Sequence, residues 1–574
     1  MALKRYALPA SVWAMAACIQ IGVAPLHAAA LAAALEGSVS SREEGPMEGV
    51  LVSAKRAGGN VTVTVVSDEQ GRYRFPAGRL TPGKYAIRIR AAKYELDGAG
   101  SASVARGKTA RADLKLKQTS DPSKIAAQIS NAEWIMSFPG TEQQRASVGP
   151  CTHCHTLERV ARSKYDADAF VPLIDRMLSY PSGAFPKRVN TGRAPKLLDA
   201  NADPAAEAAA QAKQQAARRQ LAEYLASINL STTDQWKYEF KTYPRPKGKA
   251  TQVIYTEWTL PNEAEQPHDV IVDSRGLVWY ADFGSQLLGV LDPKTGKVTE
   301  YTPPTLKKAR PGGSLSLHFD KDENLWLGMM WQGGIAKFDR NTRKFKTWSL
   351  PDEIQGDHVQ LTFLSPDNLQ VDNKVWVNDS GTYNQYRVDV MTGKWETFET
   401  SKAPHPGVYD IISDKQNNLY FNVIGREHIG RIDAKTKQVL FFEIPTKGAG
   451  PRRGMMDAQG RLWFGENRAD KIGVFDTNTQ KFQEWVPPTK GSWPYDVTAD
   501  KNGMVWSGGE FTDRVLRLDP RSGEFTEYLL PRDTNVRRLW TDRAPNPALW
   551  VGSTHNASII KLEVLDAPAG SGSR

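Results

Sequence analysis

The sequence predicts a mainly β chain: a seven-bladed β-propeller preceded by a β-sandwich domain and a small α-helical domain. Three observations carry that prediction. A phrase of Asp, five residues and an aromatic recurs through the C-terminal half. Residues 35–118 alternate or run apolar, with β-branched residues between Gly, Pro and Asp turns. Residues 123–230 change to helix-forming composition with helical apolar spacing. A chain of 574 residues exceeds what one core can fill, so several domains are expected.

Residues 1–34 read as an export signal. Lys4 and Arg5 precede an apolar run from about Tyr6 to Ala24, Pro25 breaks it, and small residues follow between His27 and Ala34. A membrane anchor would need a longer run with flanking stop-transfer charges. A lipid-modified Cys18 is poorly matched by the preceding Met15-Ala16-Ala17. The expectation is therefore signal cleavage, a periplasmic location and no transmembrane segment in the mature protein. The net charge of +10 is read as a solvated surface, with acidic partners or an anionic membrane face as the other readings. Nucleic acid is not expected, because the Lys and Arg are spread along the chain and no nucleic-acid motif is present.

In residues 35–118 the stretches "GVLVSAK", "VTVTVVSD", "YRFPAG", "KYAIRIRA" and "ARADLKLKQ" predict the sandwich. Gly45-Pro46, Gly49-Val50, Ser67-Asp68, Gly71 to Phe75 and Leu80 to Tyr85 resemble the carboxypeptidase regulatory-like domain. That resemblance implies a non-catalytic packing or adhesion module.

Residues 123–230 hold Cys151-Thr152-His153-Cys154-His155, the C-x-x-C-H pattern that attaches c-type haem. Of three cysteines, signal cleavage leaves only this pair, too few for a disulfide-stapled scaffold. Thiols two residues apart at a helix start reach both vinyl groups of one porphyrin, and His155 then falls under the iron as proximal ligand. A dithiol redox pair is the other reading. With its "LAEYLASINL" end, the segment resembles a cytochrome c domain carrying one covalent haem. Met177, in "VPLIDRMLSY", is the candidate sixth ligand. Met136 competes with it, and an open iron is the third option. His153 is expected to point away from the iron.

From residue 253 to 566 the repeats run Asp273–Trp279, Asp320–Trp326, Asp414–Tyr420, Asp457–Trp463 and Asp500–Trp506, with looser copies ending at Trp376 and Trp550. Seven copies predict seven four-stranded blades. The last copy lacks an outer strand, and a spare one, "VIYTEWTLP", precedes the first, so it should complete blade seven and close the ring. Alignment on the repeat's Asp places His268, Leu315, Tyr409, Arg452, Tyr495 and Arg537 in one ring at the mouth, with His358 near blade three. A second ring includes Asp282, Asp379 and Glu466. Such a mouth suits a small polar or anionic ligand, or a metal.

The repeats resemble virginiamycin B lyase. The carrying residues are Pro267 to Val270, Trp463 to Asn467, Lys471 to Gly473, "HIGRID" and Trp493 to Val497. The resemblance implies a lyase that opens a lactone by elimination, with His268 and Glu466 as acid/base groups and a bound Mg2+. Leu315 and Arg537 stand at the flanking ring positions, where the family uses a second His.

Together these readings imply a periplasmic c-type cytochrome. It would transfer electrons through one haem to a redox partner protein, and its propeller would bind a small-molecule substrate or a partner. The alternatives are a carbon–oxygen lyase with an accessory haem domain and a non-catalytic haem-based sensor. No G-x-G-x-x-G element opens a βαβ unit, so no nicotinamide or flavin is indicated.

Overall fold

The computed structural model describes residues 33–178, 204–308, 310, 312–355, 362–379, 384–400 and 407–565. Residues 1–32, which include Cys18 and all but Ala33 and Ala34 of the expected export signal, lie outside the described residues, as does His358, whereas Ala33 and Ala34 begin the strand Ala33–Ser41. No described helix is long and apolar enough to cross a membrane.

The repeat phrase is a turn-and-core device. Asp273 accepts the backbone N–H of Arg275 and Leu277 with one oxygen and the Trp279 indole N–H with the other, at 3.1 Å. Asp320–Trp326, Asp457–Trp463, Asp500–Trp506 and Asp542–Trp550 repeat the indole bond at 2.9–3.0 Å. One carboxylate thus fixes the hairpin turn and satisfies the buried Trp that packs between blades. Blade three lacks the Asp, and Trp376 donates instead to the Asn417 carbonyl. The glycines of "LLGVLD" and "HIGRID" have a steric cause. A Cβ at Gly289 would lie 2.0 Å from the Tyr280 ring, and one at Gly430 would lie 2.0 Å from the Phe421 ring.

Six blades are separate four-stranded antiparallel sheets, from Pro267–Val272 through Glu524–Leu529. The seventh is Leu539–Thr541, Leu549–Ser553 and Ser558–Val564, with Val253–Thr259 as its outer strand. Val253 pairs with Val564 and Thr259 with Ser558, so the spare strand closes the ring.

That strand has a second partner, which the sequence did not suggest. Its other edge pairs antiparallel with Val61–Val66, from Ile254 with Val65 to Trp258 with Val61. Blade seven and one sandwich sheet (Val61–Val66, Leu51–Arg56, Gly83–Arg90, Ser101–Val104) are therefore one continuous eight-stranded sheet. The facing sandwich sheet is built on Ala33–Ser41 and Leu114–Gln118, which pair in parallel. Leu35, Val39, Val52, Phe75, Ile87 and Leu116 fill the core between the two.

The helical module packs around Trp134, Phe138, Val148, Leu157, Phe170, Leu225 and Ile228. Its first long turn, Asn131–Ser137, starts with a reciprocal Ser130–Glu133 capping box. Residues after Leu230 form an aromatic strap. Trp236 packs at a tilt against Trp134 at 5.1 Å and Tyr238 meets Phe138 edge-on at 6.1 Å. Arg90 joins all three modules. It donates to the carbonyls of Gln128 and Leu530 and forms a 2.7 Å ion pair with Asp513.

Candidate functional site

The axial end of each inner strand carries the site. In five blades the inner-strand register slips at its start: Pro267/Asp269, Leu315/His318, Val408/Ile411, Pro451/Gly454 and Pro494/Val497. Such a bulge re-aims side chains. Here two consecutive residues, not one, contribute to the axis in most blades.

The first layer joins five of the six predicted ring residues. His268 stacks on Phe283 at 4.8 Å, and its Nε2 lies 3.3 Å from the Tyr495 hydroxyl. The Tyr409 and Tyr495 hydroxyls are hydrogen-bonded to one another. Arg452 lies 4.0 Å over the Tyr495 ring and 5.0 Å over Tyr409. Arg537 covers Phe283 at 5.1 Å and Tyr495 at 5.9 Å. Arg452 also pairs with Glu510 at 2.7 Å. The sixth, Leu315, is apolar filler, buried with Phe283 and Met330.

The second layer is ionic and was not foreseen. Asp269 accepts from His268 Nδ1 (2.5 Å), Arg453 (3.2 Å), Arg538 (3.3 Å) and the Leu317 N–H (2.9 Å). Asp410 lies 3.7 Å from Arg453, and Asp496 lies 3.8 Å from Arg538. Arg453 and Asp269 have no exposed side-chain surface. The signal was present as polar doublets, each ending in a charged residue, that open apolar strands: "HDVIV", "YDIIS", "RRGMM", "YDVTA" and "RRLW". A charge entering such a strand must meet its opposite.

These surroundings fix the protonation states. Burial pushes the His268 pKa down to about 3 against the pull of Asp269, so the ring is neutral. Burial alone would raise Asp269, but Arg453 and Arg538 hold it well below the usual carboxylate range. Nδ1–H therefore donates to Asp269, and Nε2 is left as an acceptor for the Tyr495 hydroxyl. Burial raises Tyr495 and raises Asp496 to about 6. Because folded His268 refuses a proton that the unfolded chain takes up, stability should fall as pH drops from 6.5 toward about 3. The expected loss is about 1.4 kcal/mol per pH unit in that window. Denaturation of wild type and His268→Gln between pH 4 and 6 checks it, and identical slopes would refute it.

Glu466 does not join His268. It is buried against Glu484, and burial together with that neighbour pushes its pKa up to about 8. Asp282 serves a turn, accepting from the Gly284 N–H and the Ser285 hydroxyl. The Asp379 side chain lies outside the described residues. Among the described residues no group of three or more His, Cys, Asp or Glu is placed to hold a metal ion.

The Cys-x-x-Cys-His segment lies against this mouth. Gly149–His153 is a 3-10 turn rather than the start of an α-helix, which begins only at Leu157. Both thiols are free and half-buried. His155 Nδ1 lies 3.0 Å from the Thr156 carbonyl, which makes Nδ1 the donor and leaves Nε2 without a hydrogen-bond partner among the described residues. Burial lowers the His155 pKa. The Thr152 carbonyl lies 2.9 Å from His555 Nε2 and 3.5 Å from Asn535 Nδ2, and the His153 carbonyl accepts from Arg537 at 2.8 Å. His153 keeps an open edge, yet dense surroundings and Arg537 lower its pKa to about 4. Met177 is half-buried near the end of the helix Ala167–Leu178, and Met136 is half-buried in Asn131–Ser137.

The family described as the virginiamycin B lyase family matches residues 307–565, and the carboxypeptidase regulatory-like domain matches residues 34–117. No curated protein matches the chain. Among solved structures, virginiamycin B lyase from Staphylococcus aureus is 21% identical, covers 54% of this chain and 99% of its own, and has a TM-score of 0.47. A streptogramin B lyase is 20% identical, covers 55% and 100%, and has a TM-score of 0.47. The extracellular domain of a putative one component system from B. thetaiotaomicron is 17% identical, covers 53% and 42%, and has a TM-score of 0.40.

Proposed function

We propose that this chain is a periplasmic c-type cytochrome carrying one haem on Cys151 and Cys154. His155 is its proximal iron ligand and Met177 the sixth. The observation that carries the reading is the His155 ring. A ligating histidine characteristically donates its second nitrogen to a carbonyl or carboxylate, which fixes tautomer and orientation. His155 Nδ1 meets the Thr156 carbonyl in that way, with Nε2 left over. Two free thiols precede it at the motif spacing, and Cys151 borders the apolar cluster of the helical module.

When bound, the haem would supply a one-electron acceptor or donor. The chain's own residues do the rest. Arg452 and Arg537 offer positive charge to a small anionic substrate or to a partner's acidic group. Neutral His268, oriented by Asp269, offers a proton acceptor through Tyr495. The motif's proximity to the mouth would bring a bound substrate beside the haem, with a redox partner protein relaying electrons onward.

The test is expression in a host able to attach haem. Wild type should yield one covalent haem per chain, and the Cys151→Ala, Cys154→Ala double variant should yield none. Colourless wild-type protein with two titratable thiols would overturn the proposal. A second reading, a carbon–oxygen lyase, is favoured by the His268–Asp269 dyad. It requires elimination products without any electron acceptor.

A further inference from the structure

We propose that blade seven of the propeller is one wall of the attachment-motif crevice. Asn535, Arg537 and His555 would be positioning residues that fix the motif and set the reduction potential of the group it carries. The potential part rests on the haem reading above, whereas the positioning part does not.

The argument starts with the turn. A short helical turn leaves its last carbonyls without internal partners. Here the turn Gly149–His153 ends on the two residues between and beside the thiols, and the carbonyls of Thr152 and His153 face the propeller. His555 Nε2–H and Arg537 satisfy them at 2.9 and 2.8 Å, with the Asn535 amide at 3.5 Å. Thr152 is fully buried under this contact. The donors are themselves held. Arg537 Nε donates to the Asn535 side-chain carbonyl at 2.8 Å, and its guanidinium lies over Phe283 and Tyr495. His555 has no partner for its buried Nδ1, so its one donor is committed to Thr152.

The helical module reaches the motif from the other side. Cys151 N–H bonds the Val148 carbonyl, and Asn131 accepts the Leu157 N–H. The segment is thus gripped by two modules. From the propeller side Arg537 brings a full positive charge to the peptide between the thiols. A fixed cation beside a redox group favours its reduced, less positive form. Arg537 also ties this peptide to the ring at the mouth, so one side chain reads both sites.

Amide hydrogen exchange of the peptide spanning residues 148–157 tests the grip, in wild type and in the Cys151→Ala, Cys154→Ala background without haem. Arg537→Ala and His555→Ala should each speed exchange of this peptide about tenfold, the scale of one lost hydrogen bond. Peptides of blades two to five should be unchanged. His555→Gln and Arg537→Lys, which keep a donor, should restore most of the protection. Wild-type exchange in the Arg537→Ala, His555→Ala double variant would overturn the grip. In haem-loaded protein, Arg537→Ala should shift the midpoint potential downward and Arg537→Lys should shift it less. An unchanged potential in Arg537→Ala overturns the tuning. Absence of haem from every variant, with exchange as expected, would overturn the cytochrome reading and leave the grip standing.

Discussion

Asp269→Ala is expected to destabilise the propeller by at least about 4 kcal/mol, the largest effect of any single substitution at the axis. The carboxylate is buried and accepts from His268, Arg453, Arg538 and a backbone N–H. Its removal leaves Arg453 and Arg538 only their longer contacts to Asp410 and Asp496, at 3.7 and 3.8 Å, and Arg453 has no exposed surface at all. The excess of buried positive charge left behind, more than the lost attraction, sets the size of the effect. Asp269→Asn should cost nearly as much, because shape is kept and charge is lost. Adding Arg453→Met to Asp269→Asn should recover part of the loss, since the second change removes one stranded charge. Denaturation followed by the blade tryptophans measures this. A loss below about 1 kcal/mol in Asp269→Ala would show that the cluster contributes no net pairing.

Arg90→Ala is expected to cost about 3–5 kcal/mol and to loosen the sandwich and helical module from the propeller together. Arg90 is 4% exposed and, from the sandwich, meets acceptors in each of the other two modules. Asp513, its ion-pair partner, is fully buried, and burial already raises its pKa to about 7 despite Arg90. Without the guanidinium, Asp513 would take up a proton, so the cost should grow with rising pH. Arg90→Lys should not rescue, because one ammonium cannot span three acceptors that a planar fork reaches at once. Proteolysis of the strap around residues 236–245 is the readout. Wild-type resistance in Arg90→Ala would exclude the role of a three-way joint.

Much of this was legible in the sequence because it is local. The Asp–Trp phrase is a bond between residues six apart, so its repetition counted the blades and its offset placed His268, Tyr409, Arg452, Tyr495 and Arg537 in one ring. The second ring was not legible. It assumed that residues at equal repeat positions share a direction, whereas Asp282 turns to cap a loop and Glu466 turns toward Glu484. The ionic layer beneath the ring was missed because a single aligned position was read, and the bulge that brings in its neighbour has no short signature. Contacts between modules left no trace either. A strand's sequence does not say what lies along its second edge, and the carbonyls of Thr152 and His153 carry no side-chain mark of their partners.

Timing gives the strand Val253–Thr259 a further consequence. It is synthesised before any blade, yet its ring partner Ser558–Val564 comes last. Through nearly the whole of propeller assembly it would stand as a naked, apolar β-edge, the kind that recruits stray chains. The sandwich emerges earlier still, and its Val61–Val66 strand is ready to take one side of that edge at once. The N-terminal module thus acts as a holding clamp, presenting the ring's final zipper in register until the C-terminus arrives to fasten it.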